Sequence, residues 1–297
     1  MIKLKVLKET DTSIRILFSG VNRAFVNALR RTMIADVPKF AIDQMRIELG
    51  IFKDEETGEL FESNFALNDE QLAHRFAMLP VPTFHEDFYF QDECPDCKDM
   101  VADQRGCPSC QIIYTITSSG VDGGRSVEAS ELNVIGDRRL EIPEAYGAIP
   151  LTKLYEGQVL HAYFYAIMGR GRDHAKYSPV SGVTFHARQN GKINVKTRSK
   201  MLFDLNLNVT AKDFNKDGVL DDIDKVDLLR NDLNHVGSGT DLQAQFNDAI
   251  TLEDVEGDYI FKFQTDGSMT ARTCLEQACK ELAGRFEALS KDFAEAL

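Results

Sequence analysis

The spacing of hydrophobic and polar positions changes several times along the chain, and each change predicts a different element. Residues 2–7 and 13–18 alternate with the period of a strand, and the polar residues 9–12 between them predict a β-hairpin. Residues 21–36 instead place their apolar side chains on one face of a helix, and Pro38 predicts where that helix ends. The first part of the chain is therefore predicted to be a hairpin followed by a helix.

The middle of the chain predicts a second helix among several strands. Asn68 is followed three residues later by Gln71, which is the pattern of a capping box at a helix start. Residues 52–63 are polar and rich in turn-forming residues. The buried side of the helix is predicted to consist of Leu72, Phe76 and Leu79. Further strands are predicted at residues 40–49, 111–117, 159–167, 182–187 and 259–264.

A long amphipathic helix is predicted at residues 270–293. Cys274 and Cys279 point about 140° apart on it, so they are predicted to be packing residues and not a redox pair. The apolar positions have a near-heptad spacing, which favours packing against a partner helix, while packing on the protein's own sheet is the alternative. These positions are Leu275, Ala278, Leu282, Phe286, Leu289 and Phe293.

Composition and charge narrow the possible functions. The chain has 297 residues, of which 43% are hydrophobic, enough for about one to three domains. Its formal net charge of −13 would repel phosphate backbones, so little or no direct nucleic-acid contact is expected. The first residues contain no apolar signal region, and no run of about 18 apolar residues predicts a membrane span. We therefore expect a cytoplasmic protein whose thiols stay reduced.

Four of the six cysteines form two Cys-Pro-x-Cys pairs, Cys94 with Cys97 and Cys107 with Cys110. The spacing within a pair lets both thiolates face one centre, and two pairs supply the four sulfurs of a tetrahedral zinc site. Four sulfurs leave no open coordination position, so the site is predicted to be structural and not catalytic. A rubredoxin-like iron centre is the main alternative, because the same ligands also bind iron.

A second candidate metal site is the acidic loop at residues 213–224, which resembles the calcium loops of EF-hand and dockerin proteins. Gly218 stands at the position of the sharp turn. The last position carries aspartate where glutamate is usual, which predicts weak calcium binding or a preference for magnesium. A solvated acidic turn is the alternative. The predicted ligands are Asp213, Asn215, Asp217, Val219 through its carbonyl oxygen, Asp221 and Asp224.

No motif of a catalytic site stands out. The sequence lacks a Gly-x-Ser-x-Gly elbow, a phosphate-binding Walker loop and a His-Glu-x-x-His motif, so the chain is expected to be non-catalytic by itself. A basic cluster is formed by Arg170, Arg172, His174 and Lys176. Docking against an acidic protein surface is the favoured hypothesis for this cluster, ahead of a solvated loop or contact with nucleic acid.

Four segments resemble one family, in the same order. They are residues 22–43, with NRAFVNALRRTMIADVPKFAID; residues 68–83, with the DEQLAHR helix; residues 169–188, with HAKYSP; and residues 256–289, which contain the last strand and helix. The chain is similar to the alpha-like subunit family of DNA-directed RNA polymerases, and it most resembles the archaeal members. The bacterial alpha subunit and the third-largest subunit of eukaryotic RNA polymerase II are related to them.

The resemblance implies an α+β fold with a discontinuous, alpha-like dimerisation domain. That domain would consist of residues 1–49, 183–188 and 251–297. Residues 50–182 would form an inserted mixed α/β domain that carries the four-cysteine loop. Residues 189–250 would be a second, polar insert that contains the acidic loop.

The resemblance also implies a function in assembly. Such a protein forms a heterodimer with the small alpha-like subunit L, and small subunits N and P and the large catalytic subunits of DNA-directed RNA polymerase gather on it. Nucleotidyl transfer belongs to the large subunits. The alternative from a different class is a free-standing metal-binding adaptor or iron-site electron carrier.

Two departures from the family pattern affect what can be carried over. Tyr177 stands where the family often has tryptophan, and it keeps an aromatic ring at that position. Some archaeal members carry an iron–sulfur domain after the position of Arg188, but residues 189–250 contain no cysteine. No iron–sulfur cluster is therefore expected in this region. Zinc is expected at the four cysteines because of their spacing.

Overall fold

The computed structural model describes residues 2–53, 58–205, 207–237, 239–246 and 248–296. These residues form two compact units. The first unit contains the described residues of Met1–Leu7, Arg15–Asn27 and Thr184–Lys262, and the second contains those of Lys8–Ile14, Ala28–Val183 and Phe263–Leu297. These boundaries differ from the three-part division that the sequence predicts, and that division remains a prediction.

The regular elements of the described residues follow in chain order. The strands are β1 (Lys3–Glu9), β2 (Ser13–Ser19), β3 (Pro38–Ile47), β4 (Ile51–Lys53), β5 (Leu60–Glu62), β6 (Gln111–Ser119), β7 (Arg125–Glu128), β8 (Asn133–Ile135), β9 (Pro150–Leu154), β10 (Val159–Arg170), β11 (Val180–Ile193), β12 (Val219–Leu220) and β13 (Ile250–Thr265). The helices are α1 (Arg23–Ala35), α2 (Asp69–Ala77), α3 (Lys196–Phe203), α4 (Ile223–His235), α5 (Gln243–Phe246) and α6 (Ala271–Ala296).

Five strands form one sheet in the order β1-β2-β13-β11-β12. The predicted hairpin of β1 and β2 and the predicted helix α1 are confirmed. Phe18 on β2 packs edge-to-face against Phe25 of α1 and Phe261 of β13, with ring centroids 6.2 and 6.0 Å apart. Alternation along β2 thus places Phe18 on the face that packs against α1.

Residues 189–250 contribute to this sheet and contain a small hydrophobic core. Strand β11 continues past the predicted residues 182–187 as far as Ile193, and its Gly191 pairs with Leu220 of β12. Strand β13 likewise begins at Ile250, earlier than predicted. This core consists of Leu202, Val209, Leu220, Val226, Leu229, Val236, Phe246, Ala249 and Ile250.

The second unit is centred on an antiparallel sheet in the order β3-β10-β6-β8. Phe164 of β10 lies opposite Met45 of β3 on one side and Tyr114 of β6 on the other. Phe76 of α2 stacks on the ring of Phe164, with centroids 4.1 Å apart. Leu72, Phe76 and Leu79 are buried as predicted, so α2 closes one face of this sheet.

Two details of this region differ from the sequence predictions. Helix α2 follows Asn68 as predicted, but the Asn68 side chain makes no cap hydrogen bond, so the predicted capping box is wrong. Asp69 and Glu70 in the first turn complement the positive end of the helix instead. Within the polar stretch 52–63, β4 and β5 form a short antiparallel hairpin in which Phe52 pairs with Phe61.

Helix α6 changes character along its length. Ala271, Cys274 and Ala278 in its first half are buried. In its second half, Phe286, Leu289 and Phe293 are 62%, 48% and 59% exposed. Among the described residues, no helix combines the length and apolar character needed to cross a membrane. The predicted apolar stripe is therefore buried or half-buried within the chain in the first half of α6 and exposed to solvent in the second half.

Candidate metal centre

The four predicted cysteine ligands converge on one point. Their sulfur atoms all lie within 4.8 Å of one another. Cys94 and Cys107 are 3.5 Å apart at sulfur, Cys107 and Cys110 3.7 Å, and Cys97 and Cys110 3.9 Å. A tetrahedral zinc ion with Zn–S bonds of about 2.3 Å requires sulfur–sulfur edges of about 3.8 Å. The four side chains therefore form a group of the size that a tetrahedral metal ion needs.

Two similar backbone turns position these sulfurs. In the first turn, the carbonyl of Cys94 accepts hydrogen bonds from the amides of Cys97 and Lys98, at 3.2 and 2.9 Å. In the second, the carbonyl of Cys107 accepts from Cys110 and Gln111, at 3.0 and 2.9 Å. Because both cysteines of each pair lie in one tight turn, their side chains point to the same side. The second turn leads directly into β6, which anchors the loop on the sheet.

The segment between the turns is fastened by Arg105. Its guanidinium donates to the carbonyl oxygens of Met100 and Lys98, at 3.1 and 3.2 Å. Gly106 has a φ of +150°, and a Cβ there would lie 2.3 Å from the side-chain oxygen of Gln111. The positive φ therefore favours glycine at this position, whereas the Gln111 side chain is flexible enough to move away from a Cβ.

Three of the four thiols are buried. Cys94, Cys97 and Cys110 are at most 2% exposed, whereas Cys107 is partly exposed. Burial raises the pKa of the Cys110 thiol, and the neighbouring cysteine side chains add to that effect. A bound cation would reverse the balance, because metal coordination stabilises thiolates. The donor set fits a metal ion that prefers four sulfur ligands.

The acidic loop 213–224 shows a different arrangement. Asp213 accepts hydrogen bonds from Thr210 and, at 2.5 Å, from the amino group of Lys225. The side-chain oxygen of Asn215 accepts from the amides of Asp217 and Val219 within the turn. In the described part of the chain, the four-cysteine group is the set of His, Cys, Asp and Glu side chains that converges as metal ligands do.

The far end of that loop also contacts basic side chains. Asp224 forms an ion pair with Arg15 of β2 at 2.6 Å, and Arg15 reaches Asp227 at the same distance. Asp222 caps α4 through the amides of Asp224 and Lys225. The carboxylates at the first and last predicted ligand positions thus contact cations supplied by the chain. Calcium or magnesium binding by this loop remains a prediction.

Two members of the basic cluster make internal contacts. Arg170 pairs with Glu281 of α6 at 2.7 Å and lies over the ring of Phe90. Lys176 is buried and pairs with Asp43 at 2.6 Å. These contacts place both side chains in the framework of the second unit, where they are unsuited to the docking role favoured from the sequence.

Tyr177 occupies a closely fitted position beside this cluster. Its hydroxyl donates to Asp43 at 2.9 Å, and burial together with that carboxylate raises the pKa of the phenol. A Cβ at Gly169 would lie 2.7 Å from the tyrosine ring, so the glycine provides the space that the ring needs. The aromatic position of the family motif is thus filled by a protonated phenol that donates a hydrogen bond.

A buried carboxylate at the end of α1 is barely indicated by the local sequence pattern. Asp36 is 3% exposed, forms an ion pair with Arg285 of α6 and lies 3.9 Å from Arg172. Arg170 donates a hydrogen bond to the backbone carbonyl of Asp36. The one signal in the sequence is an acidic residue between the apolar Ala35 and Val37. Its partners are too distant along the chain for spacing to indicate them.

Comparison with known proteins places this fold in a family. Residues 15–286 match the family described as the RNA polymerase Rpb3/Rpb11 dimerisation domain. The protein named DNA-directed RNA polymerase subunit Rpo3 from Picrophilus torridus is 31% identical over 294 residues, covering 98% of this chain and 100% of that relative.

Two further relatives carry the same name. The Rpo3 protein of Thermoplasma volcanium is 29% identical over 99% of this chain and 100% of its own length. That of Thermococcus kodakarensis is 30% identical over 95% of this chain and 94% of its own length. These matches confirm the family resemblance drawn from the sequence motifs. The chain belongs to the RNA polymerase Rpb3/Rpb11 dimerisation-domain family.

Proposed function

We propose that this chain is the assembly-platform subunit of a DNA-directed RNA polymerase. It pairs with the small alpha-like subunit L through α1 and the second half of α6, and the pair then gathers subunits N and P and the large catalytic subunits. The observation that carries this proposal is the exposed apolar stripe of Phe286, Leu289 and Phe293 on a helix whose first half is buried. The full-length relatives named Rpo3 support the polymerase assignment.

The energetics of the stripe favour pairing. Burying apolar surface contributes about 25 cal/mol per Å². Burial of the two phenylalanines and the leucine exposed along one helix face would therefore strongly favour association. Their near-heptad spacing suits a second helix. Glu281 and Arg285 on the same helix pair with Arg170 and Asp36 of the second unit. These ion pairs hold α6 so that its open stripe is presented in a fixed orientation.

Co-expression with an archaeal subunit L tests the proposal. We expect a one-to-one heterodimer by light scattering, with the chain aggregating when it is produced alone. A chain that stays monodisperse alone and elutes separately from subunit L would contradict the proposal.

We further propose that the four cysteines hold zinc as a structural ion. The support is the sulfur geometry, with separations of 3.5 to 3.9 Å around the edge that zinc requires. Cys94, Cys97, Cys107 and Cys110 would supply the complete coordination sphere, leaving no position for substrate. Metal analysis should give one zinc per chain and a colourless protein. A red, iron-loaded protein would favour the electron-carrier alternative.

For the acidic loop, we propose weak calcium or magnesium binding that stiffens the polar insert. Binding has to displace Lys225 from Asp213 and Arg15 from Asp224, which lowers the affinity. Calcium should protect residues 213–233 from proteolysis compared with a chelator. Asp217→Ala should lose this protection, because it removes a predicted ligand. Identical digestion of the unmodified chain under both conditions would contradict binding.

A further inference from the structure

A groove of about 840 Å³ lies in the second unit, beside the start of α6. Its apolar lining includes Phe84, Tyr146 and Met269. Phe84 is 37% exposed, whereas Met269 is buried. The groove is thus large enough for several side chains of another molecule and offers them an apolar floor.

The groove is also lined by carboxylates. Asp11, Glu86 and Glu141 line it and are exposed, and no ion pair involves their side chains in the ranges that the structure describes. Two basic residues line the groove, and burial lowers the pKa of one of them, His85. The other, Arg139, is paired with Asp137 at 2.7 Å and with Asp87 at 3.3 Å, and its guanidinium lies over the ring of Phe84. The charge of Arg139 is therefore balanced locally, and three negative charges remain uncompensated.

The start of α6 does not change this balance. The hydroxyl of Thr270 accepts a hydrogen bond from the amide of Thr273, so the exposed amides of the first turn are partly satisfied by the chain itself. An anion entering the groove would meet three carboxylates. These carboxylates would repel the anion, whereas they would attract a cation.

We propose that this groove docks a basic segment of a partner protein that carries an apolar side chain between lysines or arginines. The apolar side chain would lie on Phe84 and Tyr146, and the flanking cations would pair with Asp11, Glu86 and Glu141. Charge complementarity selects this occupant over an acidic segment. Gln277, the groove residue furthest along α6, and Phe286 are nine residues apart, about 14 Å along the helix, so the groove does not include the exposed stripe proposed to pair with subunit L.

Fluorescence anisotropy with the full chain tests the proposal with three labelled peptides. The first contains Lys-Arg-Leu-Lys-Arg, the second has serine in place of leucine, and the third has glutamates in place of the basic residues. We expect saturable binding of the first peptide, at least about tenfold weaker binding of the second, and none of the third.

Charge reversal locates the binding. The double substitution Glu86→Lys with Glu141→Lys should weaken binding of the first peptide at least about tenfold. The isosteric pair Glu86→Gln with Glu141→Gln should also weaken its binding. The matched control, Asp122→Lys with Glu156→Lys, changes the same charge at exposed positions outside the groove and should leave binding within about twofold.

Equal binding of the leucine and serine peptides would overturn the proposal. Equal losses in the groove and control variants would also overturn it, because the net charge of the chain would then account for the binding. The outcome does not depend on pairing with subunit L, so failure of the two proposals can be told apart.

Discussion

The buried carboxylate of Asp36, at the end of α1, forms an ion pair with Arg285 on α6. The side chain of Asp36 is 5% exposed, whereas that of Arg285 is 48% exposed. The exposed guanidinium of Arg285 thus neutralises the buried carboxylate of Asp36. Arg172, 3.9 Å away, is a weaker second partner for the same carboxylate. This pair joins α1 to the helix whose far end carries the open apolar stripe.

Removing the exposed partner should therefore be costly. We expect Arg285→Ala to lower the free energy of unfolding by about 1–3 kcal/mol, because it leaves a buried carboxylate without its main countercharge. Urea unfolding at neutral pH measures the change. Asp36→Asn combined with Arg285→Ala should recover part of the loss. Lys291→Ala on the same helix is the control, and a loss as large as that of Arg285→Ala would show that the ion pair is unimportant.

Metal removal should have a local effect. Because the two cysteine turns are short and the second leads directly into β6, we expect a chelator to expose residues 98–106 to proteolysis while the sheet of β3, β10, β6 and β8 stays folded. Cys97→Ser should give the same cleavage pattern without chelator. The control is Cys279→Ser, which changes an exposed cysteine outside the group. Cleavage that is unaffected by chelator and by Cys97→Ser would contradict a structural metal site.

The polar insert should show a specific dependence on acid. The pKa of Asp213 is lowered from 3.8 to about 2, first by the hydrogen bond from Lys225 and then by those from Thr210. A depressed pKa in the folded state stabilises it above the unfolded value, so this contribution is full above about pH 4 and is lost as pH falls toward about 2. NMR titration of the Asp213 carboxyl should show a higher pKa in Lys225→Met than in the unmodified chain, because the hydrogen bond from Lys225 is lost while those from Thr210 remain. An unchanged titration would disprove the pairing.

Features with a local cause were predictable from the sequence. The cysteine site follows from spacing within two short turns, and β1, β2 and α1 follow from the period of their apolar residues. The last strand and the last helix were also found. In each case neighbours in sequence determine the structure, so the pattern carries the necessary information.

Features with long-range causes were missed or incomplete. Strand β11 extends to Ile193, and near its end Gly191 and Lys192 pair with Leu220 and Val219 of β12, which lie 29 and 27 residues further along the chain. The hairpin of β4 and β5 lies in a stretch whose polar composition concealed it. The partners of Asp36 and the carboxylates around the groove come from separate segments. The spacing of apolar residues in a single segment indicates none of these long-range contacts.

The most direct test of the proposed function is a substitution in the open stripe of α6. Phe286→Asp places a charge where a partner helix would bury it, which costs several kcal/mol. The control Glu287→Ser changes the adjacent exposed residue outside the stripe. After co-expression with subunit L, we predict that the control variant co-purifies with subunit L one-to-one. No subunit L should co-purify with the Phe286→Asp variant. One-to-one recovery of subunit L with Phe286→Asp would contradict pairing through α6.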